Sequence, residues 1–550
     1  MTKKKVLLIE PGYRNKYPPL GLMKLASYHK ARGDYVKFSK VGFGKEEGMS
    51  SLLESPWDRV YVTTLFSFEW KRTAEAIDQA IQIAGMQPER VFVGGIAASL
   101  MHDDYQNEPR WAGVRFIKGL LVGAPANALK LSAEDCDFGA DDLQGGPIEE
   151  RVPDYDILSD ISYTYPVRDA YFGYASRGCV RKCAFCGVPK LEGPQREMPP
   201  LTELVNGIDT AHGVKKDMVL MDNNITASAR YKEVIAELRD LGFESGATLT
   251  QTNGKAVKRR VDFNQGVDAR ILAKSPMYLK EMSRICISPL RIAFDHIGMK
   301  KVYDVAIRMA ADNEIKSLSN YMLYNFMDSP SDLYERMRLN ISLNEELGIR
   351  IWSFPMRYQP VNLKERTHVG KFWNRYYLRS FQIMLQATHG LVSGNPSFFM
   401  RAYGEDKHEF EHLLSIPHAF IFHRDHYEYE DGRPVLDEYF EYRNKLSESQ
   451  EQELIGHLAG PDIAIPGIPR KHYAKLAGDS TIDPAIRNVL RFHTLDTRHR
   501  LGSEDKKILP VFSQLNPDPV MPGEDEHVED AGLYDDDSTQ QEIRNQSASG

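Results

Sequence analysis

An α/β chain of two βα arrays in series, followed by a mostly helical C-terminal region and an acidic tail, is the fold the sequence predicts. Three observations predict it. Short β-rich runs alternate with amphipathic stretches from Val6 onward. The alternation breaks in a turn-rich, acidic stretch at 140–168 and resumes with longer periods at Ala170. Beyond Asn362 the β-rich runs cease.

In the first array Val6–Ile9 reads as a strand, Leu20–Arg32 as a helix ended by Gly33-Asp34, and Tyr35–Phe38 as a second strand. Arg59–Phe66 follows as a strand, Arg72–Ala84 as a helix, Arg90–Val93 as a strand ended by Gly94-Gly95, and Val114–Ile117 as a fifth strand. This rhythm gives a parallel sheet with helices on both faces, a Rossmann-like domain over 1–139. A linker covers 140–168. The second array has candidate strands at Ala170–Ser176, Met218–Asp222, Arg260–Asn264, Leu290–Asp295, Tyr321–Phe326 and Arg350–Pro355. Helical stretches lie near Leu201–His212, Ala229–Leu241, Pro276–Ile285, Lys300–Ala311 and Ser331–Leu347. Six βα units are too few for an eight-stranded barrel and fit a partial (β/α)6 TIM-type barrel over 169–362, with its chemistry at the C-terminal ends of the strands. A mainly helical region spans 363–514.

Residues 515–550 carry ten acids against one base, Arg544, a charge of −9 that more than accounts for the chain's −8, so the rest of the chain is close to neutral at about +1. With few large apolar residues this tail is expected to be disordered. A near-neutral body argues against a polyanion-binding surface. The cluster Lys255, Lys258, Arg259, Arg260 is too short to change that, so no nucleic-acid partner is expected. No apolar run approaches the roughly 20 residues that span a bilayer. Nor is Met1–Lys5 with Val6–Ile9 a secretory leader, since its apolar run stops at Glu10-Pro11. A cytoplasmic location is expected.

Five cysteines in 550 residues do not make a disulfide framework, and three of them, Cys179, Cys183 and Cys186, crowd into eight residues directly after a predicted strand. Cys136 and Cys286 stand alone and read as ordinary half-buried thiols. Three thiolates on one short loop, spaced C-x3-C-x2-C, can hold three irons of a cubane cluster and leave the fourth without a protein ligand. An open position is what a catalytic metal centre keeps. A zinc site would want a fourth ligand, and no second CxxC or nearby histidine supplies it. Arg181 and Lys182 beside the thiolates would offset the cluster's negative charge.

This CxxxCxxC, with Phe185 just before its last cysteine, resembles the signature of the radical S-adenosylmethionine (SAM) superfamily. The resemblance implies a [4Fe-4S] cluster whose open iron chelates the amino and carboxylate groups of SAM. One electron then cleaves the sulfonium to a 5′-deoxyadenosyl radical that abstracts hydrogen from a substrate. It implies a cellular reductant such as flavodoxin or ferredoxin. It makes Phe185 a cofactor contact and places polar groups for SAM at the end of the second barrel strand, often as Gly-Gly-Glu. This chain departs from that pattern with Asp222-Asn223-Asn224. Gln265 and Arg291 are candidates for the SAM ribose or carboxylate. Asp295 and His296, at the end of the fourth strand, are candidates for catalysis on the substrate. Turn formation or ordinary packing is the competing reading for each of these.

Pro18-Pro19-Leu20-Gly21-Leu22, Gly33-Asp34-Tyr35-Val36, Val93-Gly94-Gly95-Ile96-Ala97-Ala98 and Pro153-Asp154-Tyr155 resemble the cobalamin-binding domain that precedes many radical SAM cores. Against cobalamin stands the lack of an Asp-x-His-x-x-Gly stretch, the only histidines before residue 200 being His29 and His102. The first expectation is therefore hydrogen abstraction without cobalamin, and a cobalamin-dependent methylase is the second. A non-catalytic Fe–S electron-transfer or sensor protein is the alternative of another class. His389, His408, His412, His418, His423 and His426 among Tyr and Phe read as packed side chains ahead of a second metal site. The substrate is not legible.

Overall fold

Strand β1 (Lys5–Glu10) is the sequence's first apolar run, and Val6–Ile9 are all buried. It lies between β2 (Tyr35–Lys40) and β3 (Arg59–Thr64), parallel to both, with Val6 opposite Val36 and Leu7 opposite Val60. Strands β4 (Val91–Gly95) and β5 (Arg115–Phe116) complete a five-stranded parallel sheet of order β2-β1-β3-β4-β5. An interior strand covered on both faces requires an uninterrupted apolar run, which is why Val6–Ile9 of β1 and Val91–Val93 of β4 show no polar alternation, whereas the edge strand β2 alternates Val36 and Phe38 with Lys37 and Ser39. The helices Leu20–Ala31 and Trp70–Ile83 connect them, close to the expected bounds. The parallel sheet with intervening helices agrees with the α/β reading of the sequence. The computed structural model describes residues 3–42, 52, 56–121, 148–387, 390, 392, 394–460 and 468–495. Cys136, His389 and the acidic tail lie outside the described residues.

Two polar devices lock this sheet. At the C-terminal ends of β1 and β2 the buried Lys40 donates to Glu10 Oε2 (2.7 Å) and Asn15 Oδ1 (2.9 Å). Tyr165 closes the group with a hydrogen bond to the same Glu10 oxygen. Burial lowers the pKa of Lys40, and the Glu10 carboxylate offsets part of that shift. At the opposite end His29 sits between Asp34 (2.7 Å) and Tyr61 (3.0 Å), and burial pushes its pKa down to about 4. His29 is thus a neutral core histidine. His102 reaches the Phe116 carbonyl at 3.2 Å.

Gly94-Gly95 ends β4 and opens the short helix Ile96–Leu100. Gly95 has φ +107°, and a Cβ there would overlap the Thr64 carbonyl of the neighbouring strand. Both faults are backbone faults that no side-chain rotation relieves. Gly95→Ala is therefore expected to cost more than about 2 kcal/mol, read as a lowered thermal midpoint.

The second array begins with β6 (Ala170–Gly173), β9 (Asp217–Leu220) and β12 (Val261–Phe263), side by side and parallel in chain order. Bridges Val261 to Ile287 and Val267 to Ile292 carry the pattern toward β13 (Leu290–Arg291). The helices Leu201–His212 and Tyr231–Leu238 make the crossovers. Two small ribbons were not anticipated. β7 (Ser176–Arg177) pairs with β8 (Arg196–Glu197), and β10 (Thr248–Thr250) with β11 (Ala256–Lys258). The second ribbon holds Lys258 of the basic cluster. Arg259 is instead buried, its guanidinium 3.6 Å from the Phe243 ring and donating to the carbonyls of Lys215, Lys216, Leu241 and Gly242.

By contacts the chain divides into two units, one of Met1–Ala293, Val305–Leu318 and Gln359–Arg366, the other of Phe294–Asp304, Ser319–Tyr358 and Thr367–Gly550. The second unit contains most of β14 (Ser317–Tyr324), all of β15 (Arg350–Arg357) and the helix Pro330–Leu347 between them, which Ser329 and Asp332 start with a capping box. Within it Arg336 is fully buried. It donates to the carbonyls of Phe294 and Leu323 (2.9 Å each) and pairs with Asp328 at 3.1 Å. Helices follow from Arg375, including Ile468–Gly478 and Pro484–Leu490, where the sequence pattern had weakened. Of the histidines described there, His418 stacks on Tyr376 at 4.2 Å and His412 on Phe440 at 5.8 Å, whereas His408 is exposed and not packed as expected. No helix among the described residues is long and apolar enough to cross a membrane.

Candidate metal and cofactor centre

The cysteine loop leaves the C-terminal end of β6. The chain turns out of the sheet at Tyr174, forms β7, and reaches Gly178, whose φ is +77° and whose Cβ position is taken by the Pro194 carbonyl. Only glycine lets the loop begin there. Cys179 N–H then donates to the Gly193 carbonyl (3.3 Å), and Cys186 N–H to the Cys183 carbonyl (3.1 Å). All three cysteines are half-buried free thiols.

The sulfurs already face donors. Arg181 N–H points at Cys179 Sγ (3.3 Å) and Val188 N–H at Cys186 Sγ (3.4 Å). The Arg270 guanidinium is in hydrogen-bonding reach of Cys183. Amide and guanidinium donors stabilise thiolate over thiol and lower the charge cost of a bound anionic cluster. Three thiols with donors on each sulfur, on a glycine-opened loop, fit a three-cysteine [4Fe-4S] cluster. Cys286 is not part of this group, and burial pushes its thiol up to about 11. Among the described residues the one set of three carboxylate or histidine ligands within 4.8 Å is Asp154, Asp156 and His212, where Lys30 already pairs with Asp154 at 2.5 Å.

The triplet after β9 braces this loop from below. Asp222 is 1% exposed, and its two oxygens accept from Ser176 N–H (2.5 Å), Ser176 Oγ (2.7 Å) and Ala175 N–H (3.0 Å). Burial raises its pKa to about 6, and these hydrogen bonds limit the rise. Asn223 donates to Glu192 Oε2 (2.8 Å), which also accepts Gly178 N–H (2.8 Å). Arg177 pairs with Glu192 and Glu149 at 3.2 Å each and lies 3.9 Å from the Tyr174 ring. Asn224 accepts from Thr226 through its side chain and from Gln195 through its carbonyl. The sequence placed Asp222, Asn223 and Asn224 at a cofactor. The structure turns Asp222 and Asn223 to the entry of the cysteine loop, and Asn224 to Thr226 and Gln195.

Gln265 is exposed at the end of β12, beside Gly266 (φ +79°). Arg291 is 2% exposed and bound two-pronged to Asp262 at 2.7 and 2.8 Å, a buried ion pair at the sheet edge. Phe185 is half-buried within the loop. Asp295 is half-buried and His296 exposed, both in the second unit, where His296 precedes the short turn Ile297–Met299. Arg181, read as a counter-charge, is instead held by Asp268 at 2.8 Å. Sequence reasoning missed Asp268 and Arg270, since nothing in their local pattern joins them to residues 179–186.

One side of the loop is covered by the N-terminal domain. The helix Ile96–Leu100 packs on Val188–Leu191, and a Cβ on Gly187 would meet Leu100 at 3.0 Å and Val361 at 3.7 Å. The opposite edge exposes Val180, Lys182 and Ala184.

No protein-family model and no curated protein matches the sequence. Solved structures with a similar backbone include TsrM from Kitasatospora setae, a radical S-adenosylmethionine methyltransferase with cobalamin and a [4Fe-4S] cluster bound, at 13% identity over 66% of this chain and 78% of that one, TM-score 0.44. The cobalamin-dependent S-adenosylmethionine radical enzyme OxsB matches at 12% identity over 89% of this chain and 78% of that one, TM-score 0.42. These are partial likenesses of backbone, and the chemistry rests on the chain's own residues.

Proposed function

We propose that this chain is a radical SAM enzyme whose [4Fe-4S] cluster is held by Cys179, Cys183 and Cys186, acting on a substrate not yet identified. The observation that carries the reading is the C-x3-C-x2-C loop at the C-terminal end of β6, with a hydrogen-bond donor beside every sulfur. When bound, the cluster would supply an open iron for SAM and the electron that cleaves its sulfonium, so that hydrogen can be taken from the substrate. The six predicted strands would form the partial barrel around it. Asp222 fixes the loop's first turn, Glu192 and Asn223 hold Gly178, and Leu100 covers the Gly187 side against water. Phe185 and Gln265 stand as contacts for SAM. Asp295 and His296 stand as groups toward the substrate. A low-potential carrier such as flavodoxin or ferredoxin would deliver the electron.

A cobalamin-dependent methylase is the second reading. It is favoured by the sheet order β2-β1-β3-β4-β5, which places the switch point of an open α/β sheet between β1 and β3. It is favoured also by the contact of the Gly94-Gly95 helix with the cysteine loop. His29 and His102 are engaged within the domain, so a corrinoid here would be held without either as axial ligand. Protein reconstituted with iron and sulfide is expected to show, on reduction, a [4Fe-4S] electron paramagnetic resonance signal that SAM perturbs. A signal indifferent to SAM would point to an electron-transfer or sensor protein. Uptake of a corrinoid, seen by its visible absorption, separates the two enzyme readings.

A further inference from the structure

The loop's charge balance is set by a carboxylate shared between two arginines. Asp268 follows β12 and caps the short helix Ala269–Leu272. Its Oδ1 accepts from Arg270 Nε (2.7 Å) and Arg270 N–H (2.9 Å), and its Oδ2 accepts from Arg181 Nε (2.8 Å). Burial opposes ionisation of Asp268, yet the two arginines outweigh it and hold the carboxyl below its usual range. Both arginines touch the cysteine loop. Arg181 is part of it and gives its amide to Cys179, while Arg270 comes from another strand's end and reaches Cys183 with its guanidinium. The group Arg181–Asp268–Arg270 carries a net charge of about +1 beside the thiolates.

We infer that Arg270, held in place by Asp268, is a positioning residue that sets the reduction potential of the cluster. The inference rests on the [4Fe-4S] reading above. A cluster core of charge +2 with three thiolates has net charge −1. It becomes −2 when it accepts one electron from an external low-potential donor. A fixed guanidinium against one sulfur stabilises the more negative state more, so it raises the potential; hydrogen bonds to cluster sulfurs and local charge are the protein's means of doing so. Arg181 contributes less, because its fork is turned to Asp268 and only its amide faces a sulfur. The two partners then have opposite signs. Losing Arg270 removes positive charge from the sulfur, while neutralising Asp268 removes the negative charge that offsets both arginines.

The test is an anaerobic redox titration of the full-length reconstituted protein, with dithionite as reductant and the reduced cluster's paramagnetic signal as readout. Iron and sulfide content are measured on the same samples. Arg270→Gln is expected to shift the midpoint negative and Arg270→Lys to restore most of the wild-type value, while Asp268→Asn, which keeps an oxygen to accept from Arg270 and removes only the charge, is expected to shift it positive. A wild-type midpoint in a fully loaded Arg270→Gln, or shifts of the same sign in both variants, would overturn the inference. If Arg270→Gln does not load, Arg270→Lys decides. Loading at near the wild-type potential supports a charge role, and failure to load assigns Arg270 to loop structure and overturns it. Wild type that takes up no cluster would remove the functional reading itself, a result distinct from all of these.

Discussion

Cys183→Ala is expected to abolish cluster binding. The variant keeps two thiols on the loop, Cys179 and Cys186, with their amide donors intact, and loses the thiol that Arg270 faces. A cubane cluster with two protein ligands has two open irons and is readily lost, so iron retained after reconstitution should fall at least about tenfold. The fold should not follow. Cys183 is half-buried at the surface of the loop, away from the cores of both arrays, and its truncation should move stability by no more than about 0.5 kcal/mol. Iron analysis beside a thermal melt checks both halves. Iron retained at the wild-type level in Cys183→Ala would remove this residue from the ligand set.

Asp222→Ala should damage the same loop without touching a cysteine. It leaves Ala175 N–H, Ser176 N–H and Ser176 Oγ–H buried with no acceptor. Each orphaned donor costs about 1–3 kcal/mol and they are not additive, so a loss of about 3–5 kcal/mol is expected, with cluster loading reduced in parallel. The carboxyl also has a pH signature. Its folded pKa of about 6 lies above the usual value near 4. Between about pH 4 and about pH 6 the folded state keeps a proton that the unfolded state has released. The contribution of Asp222 is thus full below about pH 4 and is lost as pH rises through about 6, on the order of 3 kcal/mol. Asp222→Asn cannot titrate, so the difference in stability between wild type and this variant should shrink as pH rises across that window. Denaturant melts of both proteins at its two ends measure it, and a difference independent of pH would show that the carboxyl is not held near neutrality.

Much of the architecture was legible in local pattern. The runs at Val6–Ile9, Val60–Val62 within Arg59–Phe66, and Met218–Met221 within Met218–Asp222 are apolar without alternation, the mark of strands buried on both faces, and Leu201–His212 matches the observed helix at both ends. Strand ends were overrun where the chain leaves the sheet for the site. Ala170–Ser176 stops at Gly173 because the next residues turn toward Asp222, and Leu290–Asp295 shortens to Leu290–Arg291. The three-cysteine loop was legible because its information lies in eight consecutive residues. Its support was not. Asp222 and Ser176 are 46 positions apart, Arg181 and Asp268 are 87 apart, and a polar residue after a strand looks the same whether it faces a cofactor or a neighbouring loop. Arg291 illustrates the same limit: its partner Asp262 lies 29 residues upstream, and only the fold shows the two as a pair.

The most direct measurement is SAM turnover by the anaerobically reconstituted protein, reduced with dithionite and assayed for 5′-deoxyadenosine and methionine. Formation of 5′-deoxyadenosine that requires reductant and cluster is expected from wild type, and none from Cys183→Ala. Protein that instead arrives with one tightly bound zinc on these thiols, and releases no 5′-deoxyadenosine under the same conditions, would contradict the radical SAM reading.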